Sequence, residues 1–213
     1  MDQRTEKIIR RLEKEYPSPK TGLAFSNPFQ LLVATILSAQ TTDTTVNKIT
    51  PLLYAKYPTP HAMASAPLEE IKKIIRPVNY HNTKAVNIKK LAGIIVKQFK
   101  GEVPDTMEEL VQLPGVARKT ANVLLSQAFG KAEGIVVDTH VKRLAGRLGL
   151  SKQKTPEKIE LDLMKIVPGD KWISFPFTLI LHGRNVCDAR KPLCFSCLLA
   201  DICPYPDKTK PCL

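Results

Sequence analysis

The stretch Leu113-Pro114-Gly115-Val116-Ala117-Arg118-Lys119-Thr120-Ala121 constrains the chain more than any other, because two helical patterns meet there with almost nothing between them. Asp105 is a good N-cap and Glu108 follows three residues later, so a short helix is expected to open on a capping box. Leu110, Val111 and Leu113 give that helix an apolar face, and Pro114-Gly115 stops it. A second helix starts at once, with Ala121, Val123, Leu124, Leu125 and Ala128 as its buried stripe. The product is helix, tight turn, helix, with backbone N–H groups exposed where the second helix begins. Such an N-terminus is a natural phosphate site. Lys119 lies in the first turn of that second helix, where a cation opposes the helix dipole. It is either a plain surface lysine or a residue placed there for chemistry.

Caps and helical periodicity dominate the remaining sequence. Asn27-Pro28 reads as an N-cap with proline at the first helical position, ahead of Phe29, Leu32, Ile36 and Leu37. Asp43 is placed to cap a helix carrying Val46, Ile49, Leu52 and Leu53, and Pro67 opens another with Leu68, Ile71 and Ile75. Ile88, Leu91, Ile94 and Ile95 mark a longer helix, and Thr155-Pro156 repeats the cap-plus-proline signal. The one strand-like run, Gly134-Ile135-Val136-Val137, is short. An all-α fold is expected, without a fixed-period repeat or a Gly/Ser-rich linker. The 213 residues suffice for one large or two small domains with real cores.

Thirty-two Lys and Arg against 20 Asp and Glu give a net charge of +12, spread along the chain with no basic tail. That distribution favours a folded surface meeting a polyanion, and fits RNA-binding proteins as well as DNA-binding ones. No window approaches the ~18–20 consecutive apolar residues of a membrane span. The opening Met1-Asp2-Gln3-Arg4-Thr5-Glu6 lacks a signal peptide's apolar core, so a cytoplasmic location with no membrane contact is expected.

All five cysteines lie at or beyond position 187, and four read Cys187-x6-Cys194-x2-Cys197-x5-Cys203. A cytosolic chain keeps its thiols reduced, so ligation outranks disulfides. Thiolates suit zinc or iron–sulfur. Structural zinc commonly uses two short knuckles, whereas this pattern has one knuckle flanked by wider gaps. That favours a cluster while leaving zinc open. Cys212 has no partner in the pattern and reads as a free thiol.

Asp138 ends the short apolar run and precedes Thr139-His140-Val141, where another helix is expected. It is a natural N-cap. A capping carboxylate is also fixed in place, which makes it a good partner for a developing cation. Lys119 then becomes a candidate nucleophile, since a neutral amine is what attacks an electrophilic carbon.

The hairpin, Val137-Asp138-Thr139-His140 and the four-cysteine pattern, in this order, resemble the helix–hairpin–helix DNA glycosylases that carry an iron–sulfur cluster. Leu37-Ser38-Ala39-Gln40-Thr41-Thr42-Asp43, Asn82-Thr83-Lys84-Ala85 and Leu181-His182-Gly183-Arg184 also resemble that family's recurring stretches, so the likeness covers nearly the whole chain. The resemblance implies two helical domains flanking a DNA-binding cleft: a six-helix domain with the hairpin at 22–132, and a discontinuous domain of 1–21 and 133–213 holding a [4Fe–4S] cluster on Cys187, Cys194, Cys197 and Cys203. It further implies a monomer acting on double-stranded DNA with damaged bases or abasic sites. Lys119 would attack C1′ of a flipped oxidised pyrimidine nucleotide, Asp138 would stabilise the oxocarbenium-like charge, and a Schiff base would permit β-elimination. Gly115, Val116 and Ala117 would hold a DNA phosphate through backbone amides. Gln40 would fill the gap left by the flipped nucleotide, and Lys84, His140, Arg190 and Lys191 would contact DNA. A glycosylase without lyase activity, acting on mismatched adenine, thymine or uracil, and a non-catalytic DNA-binding cluster protein are the alternatives.

Two departures from the family pattern stand out. Ala117 occupies a position where the family usually has a second glycine. If that position needs a positive φ or close approach to phosphate, alanine would weaken binding. Pro77-Val78-Asn79-Tyr80-His81 also differs, and Tyr80 and His81 are candidates to stack on the base opposite the lesion.

Overall fold

The structure, a computed structural model, describes residues 2–210; Cys212, read as a free thiol, lies outside them. The described residues form helices α1 (Gln3–Glu15), α2 (Pro28–Ser38), α3 (Asp43–Lys56), α4 (Pro60–Ser65), α5 (Leu68–Ile74), α6 (His81–Gln98), α7 (Met107–Leu110), α8 (Arg118–Ala128), α9 (Thr139–Arg147), α10 (Pro156–Ile166) and α11 (Ser174–Asn185), with no strand among them. The fold is all-α, as expected. The chain divides into two compact units, one formed by Thr21–Lys131 and the other by the chain up to Lys20 together with that from Ala132 onward.

In the Thr21–Lys131 unit, α2 is the central helix because its sequence leaves it no polar side. Phe29 and every residue from Leu31 to Leu37 are buried, and a helix that is apolar nearly all round has to be surrounded. It packs against α3, α6 and α8. Asn27 starts it by accepting a hydrogen bond from the Gln30 N–H at 3.0 Å, with Pro28 next. α6 offers the stripe Ala85, Ile88, Leu91, Ala92 and Ile95 to the same core, and α4 lies along it. Leu32 and Leu91 are completely buried, so truncating either to alanine would cost about 2–5 kcal/mol.

Two caps fall one residue from where the sequence places them. Thr42, not Asp43, caps α3 by accepting from the Thr45 N–H at 3.2 Å. Asp43 becomes the first helical residue, where a carboxylate meets the positive end of the dipole. Thr106, not Asp105, caps α7: its hydroxyl donates to Glu109 Oε2 at 2.8 Å and accepts from the Glu109 N–H at 3.4 Å. Asp105 instead pairs with Lys131 at 2.7 Å, and the same ammonium donates to the Asp105 carbonyl. The run Gly134–Val137 is buried but forms no strand, and it leads directly into α9.

The other unit is built around α11, buried from Phe175 to Ile180, with α1 and α9 packed on it and α10 on α9. Asp2 starts α1 by accepting from the Arg4 and Thr5 N–H groups at 2.8 and 2.9 Å. Ile8, Ile9 and Leu12 form the buried face of α1. Its polar face ties down two loops. Arg4 donates to the Leu148 carbonyl at 2.7 Å, and Arg11 donates to the Leu198 carbonyl at 2.8 Å while pairing with Asp201. Trp172 is half-buried with its indole N–H on the Val167 carbonyl at 2.9 Å, a packing role.

Candidate nucleic-acid interface and cysteine centre

The hairpin turns on Gly115, whose φ of +81° belongs to the left-handed region. A Cβ there would also lie 3.1 Å from Asn87 Nδ2 and 3.3 Å from Asn87 Cβ. Val116 is buried and its N–H donates to the Leu113 carbonyl at 3.1 Å, so it nails the turn to the core while Gly115 and Ala117 stay at the surface. Ala117 has φ −90° and ψ 165°, ordinary extended backbone that any residue adopts. A glycine is therefore not required at that position, and the methyl carries no conformational penalty. No side chain caps the start of α8. Lys119 is the second residue of that helix, and it is exposed.

A second surface feature joins the end of α2 to the start of α6. Gln40 and Tyr80 both adopt positive φ, 55° and 57°, and both are exposed, Tyr80 by 66%. Left-handed backbone at non-glycine positions costs of order 1–3 kcal/mol and gathers at functional sites. Asn79 links the two, donating its side-chain amide to the Gln40 carbonyl and its N–H to Thr41 Oγ1 at 3.2 Å.

Lys84 differs from its expected role. It is 6% exposed, and its ammonium donates to the carbonyls of Leu37 at 2.8 Å and Ala39 at 2.6 Å, with Thr41 Oγ1 at 3.4 Å. All three donors are used, so Lys84 does not hold a DNA phosphate; it caps the C-terminus of α2 and supports the turn carrying Gln40. Burial pushes its pKa below the usual lysine range. The sequence carried a signal for this, because Lys84 continues the buried register Ile88, Leu91 and Ile95 one turn earlier.

Asp138 is the N-cap of α9, accepting from the Val141 N–H at 2.8 Å. His140, half-buried, follows in the first turn. Burial holds its pKa below the ordinary histidine value, opposed by Asp138 and reinforced by Arg143 and Arg184. Arg143 Nη2 lies 3.1 Å from His140 Nδ1 and donates to the carbonyls of Gly183 at 2.9 Å and Cys187 at 3.0 Å. A guanidinium cannot accept, so Nδ1 faces it with its lone pair. Gly183 permits this packing, since a Cβ there would sit 3.0 Å from His140 Nδ1.

Cys187, Cys194, Cys197 and Cys203 all line one cavity, closed by Leu144, Leu148, Val186 and Pro192, with Arg147, His182 and Lys208 also on its wall. No three His, Cys, Asp or Glu side chains among the described residues are arranged to hold a single ion. A tetrahedral zinc site would bring its sulfurs within ~2.3 Å of one point. Four thiols around a shared space that none of them fills suit a polynuclear iron–sulfur group better. N–H groups already point at sulfur: Arg147 donates to Cys187 Sγ at 3.3 Å, and the Leu199 N–H to Cys197 Sγ at 3.4 Å. Arg147 also donates to the carbonyls of Asp188 and Ala189 at 2.6 and 2.9 Å and stacks on the Tyr205 ring at 4.7 Å.

Between the first two cysteines, Asp188 shapes an exposed basic loop. Its carboxylate accepts from the Arg190 N–H at 2.8 Å and the Lys191 N–H at 2.9 Å, which holds its pKa down at about 2. Arg190 and Lys191 project into solvent. Arg143 and Arg147, unassigned from the sequence, form the i, i+4 clamp that ties α9 to this loop, and charge at that spacing was the available signal.

A family model described as HhH-GPD superfamily base excision DNA repair protein matches residues 33–169. An endonuclease III of Synechocystis sp. is 52% identical, over 95% of this chain and 92% of its own length. The structure also matches that of a non-covalent endonuclease III–DNA complex with a TM-score of 0.90 at 41% identity, covering 96% of this chain and 97% of the other. A trapped endonuclease III–DNA covalent intermediate with an estranged adenine matches with a TM-score of 0.89 at 41% identity, over 96% and 97% of the two chains. With its hairpin, its α9 acid and its four convergent thiols, the chain belongs to the HhH-GPD superfamily of base excision DNA repair proteins.

Proposed function

We propose that this protein is a bifunctional DNA glycosylase and abasic-site lyase that removes oxidised pyrimidines from double-stranded DNA. The observation that carries the reading is an exposed Lys119 in the first turn of an uncapped helix directly after a glycine hairpin, in a chain whose fold matches a covalently trapped endonuclease III–DNA complex.

The chemistry follows from the groups available. The neutral Lys119 amine donates its lone pair to C1′ of the flipped nucleotide as the bond from C1′ to the base nitrogen breaks. The base leaves with that electron pair and takes up a proton. Positive charge grows at C1′ in this step, and the Asp138 carboxylate, held in place by the Val141 N–H, opposes it. Loss of a proton from the amine and opening of the sugar give an iminium. Removal of a C2′ proton then expels the 3′ phosphate by β-elimination, and water releases Lys119. Gly115 and Ala117 bind a phosphate by backbone amides without reading sequence, while Val116, whose N–H is held by the Leu113 carbonyl, anchors the turn rather than the phosphate. Gln40 fills the vacated stack, and Tyr80 stacks on the opposite base. His140, Arg190 and Lys191 contribute further backbone contacts.

In this reading the Thr21–Lys131 unit is the hairpin domain, and the other unit is a cluster domain. Its four cysteines hold a [4Fe–4S] cluster, which when bound supplies a structural core for a segment that has little of its own. The protein acts as a monomer in the cytoplasm.

Borohydride should trap the protein on abasic DNA, and Lys119→Ala should abolish trapping while leaving salt-dependent DNA binding. Undiminished trapping in that variant would overturn the assignment of the nucleophile. Base release without nicking by the wild-type protein would assign it to the glycosylases that lack lyase activity.

A further inference from the structure

His182 lies in Leu181-His182-Gly183-Arg184, a stretch with no part in the chemistry above. It is only 1% exposed, yet both ring nitrogens have partners. Nδ1 is 3.3 Å from the Tyr16 hydroxyl, and Nε2 is 3.3 Å from Cys197 Sγ. The Tyr16 and His182 rings meet edge to face with centroids 6.1 Å apart. A neutral imidazole carries one N–H, so the buried ring has a single proton to share between these two neighbours.

Ligation decides which neighbour receives it. A metal-bound cysteine is a thiolate, which accepts hydrogen bonds and donates none. The ring proton therefore sits on Nε2 and points at sulfur, and Nδ1 accepts from the Tyr16 hydroxyl. The arrangement parallels metal-bound histidines whose second nitrogen is fixed by an outer partner, except that here the histidine acts on a cysteine ligand. We infer that His182 is a positioning residue for the iron–sulfur group, donating Nε2–H to the Cys197 thiolate, with Tyr16 at the end of α1 fixing its tautomer. The inference rests on the proposed [4Fe–4S] assignment and adds to it. Of the four sulfurs, Cys197 is the one that receives a buried side-chain donor which itself reaches back to the N-terminal helix. Hydrogen bonds to sulfur favour the more negative, reduced state of such a group.

The test is the one-electron midpoint potential of the DNA-bound protein by film voltammetry, with the rate of iron loss to ferricyanide and a chelator. His182→Leu, at matched iron content, should shift the potential to more negative values and speed iron loss several-fold. His182→Asn, which keeps an N–H donor, should recover part of both. Tyr16→Phe should shift the potential in the same direction by less. If His182→Leu does not load iron, Tyr16→Phe and electron–nuclear double resonance on oxidised wild-type protein decide the matter. The resonance should show an exchangeable proton coupled to the cluster that disappears into deuterium oxide and carries a nitrogen-15 signature after histidine labelling. Unmoved potentials, or no such proton, overturn the inference. A wild-type protein that purifies with zinc in place of iron overturns the cofactor assignment and this inference together.

Discussion

Gly115 and Ala117 sit two residues apart in the hairpin and have opposite tolerances. Gly115→Ala forces a Cβ into left-handed backbone, costing about 1–2 kcal/mol, and pushes against Asn87 at 3.1 Å. Denaturant unfolding should show that loss, and affinity for abasic DNA should fall with it. Ala117→Gly should change stability by less than about 0.5 kcal/mol and leave affinity alone, because φ is −90° and glycine caps a helix as readily as alanine or better. A clear gain in DNA affinity on Ala117→Gly would show that the methyl crowds the phosphate after all. Asp138 allows a parallel separation of structure from chemistry. Asparagine is as good an N-cap as aspartate, so Asp138→Asn should keep the melting temperature. It removes the charge, so single-turnover base release should slow by about 10²–10³-fold. Full activity in the asparagine variant would leave Asp138 with its capping role alone.

At the scale of helices, periodicity in the sequence revealed the elements better than their first residues. Thr42-Asp43 and Asp105-Thr106 each offer two adjacent caps, and only the local dihedrals and a distant partner decide between them. For Asp105 that partner is Lys131. Gly134–Val137 reads as a strand by composition, but no second strand exists among the described residues to pair with it. Lys84 shows how a side chain's chemistry misleads when its register is ignored. Lysine suggests solvent or phosphate, yet the position belongs to the buried stripe of α6 and serves α2. Lys84→Met would fill the space and strand the carbonyls of Leu37 and Ala39, at about 1–3 kcal/mol. Hydrogen exchange should accelerate at residues 38–42, where Gln40 sits. The slope of log affinity against log salt should not change, since no phosphate contact is lost. A slope shallower by about 0.9 would mean that Lys84 neutralises a phosphate.

The two units differ in what holds them together, and that difference is visible in the sequence. The Thr21–Lys131 unit has a continuous apolar core from Leu23 to Leu125. In the stretch from Cys187 to Lys210 only Pro192 and Leu199 are buried. It is held instead by charged side chains reaching in from α1 and α9: Arg11 on Leu198, Arg143 on Cys187, Arg147 on Asp188 and Ala189. Such bonds orient a loop but bury little apolar surface, so in the proposed reading a cluster on the four cysteines would supply the missing cohesion. Removing iron with a chelator under reducing conditions should therefore raise hydrogen exchange across residues 187–210 and at the ends of α9 and α11 that face them. α2, α6 and α8 should keep their protection, because their core contains none of the ligands. Heating the iron-free protein should show a surviving cooperative transition from that core. Uniform loss of protection through α2 and α8 on chelation would mean that the cluster stabilises the whole chain, and equal protection with and without iron would mean that the arginine clamps hold the loop unaided.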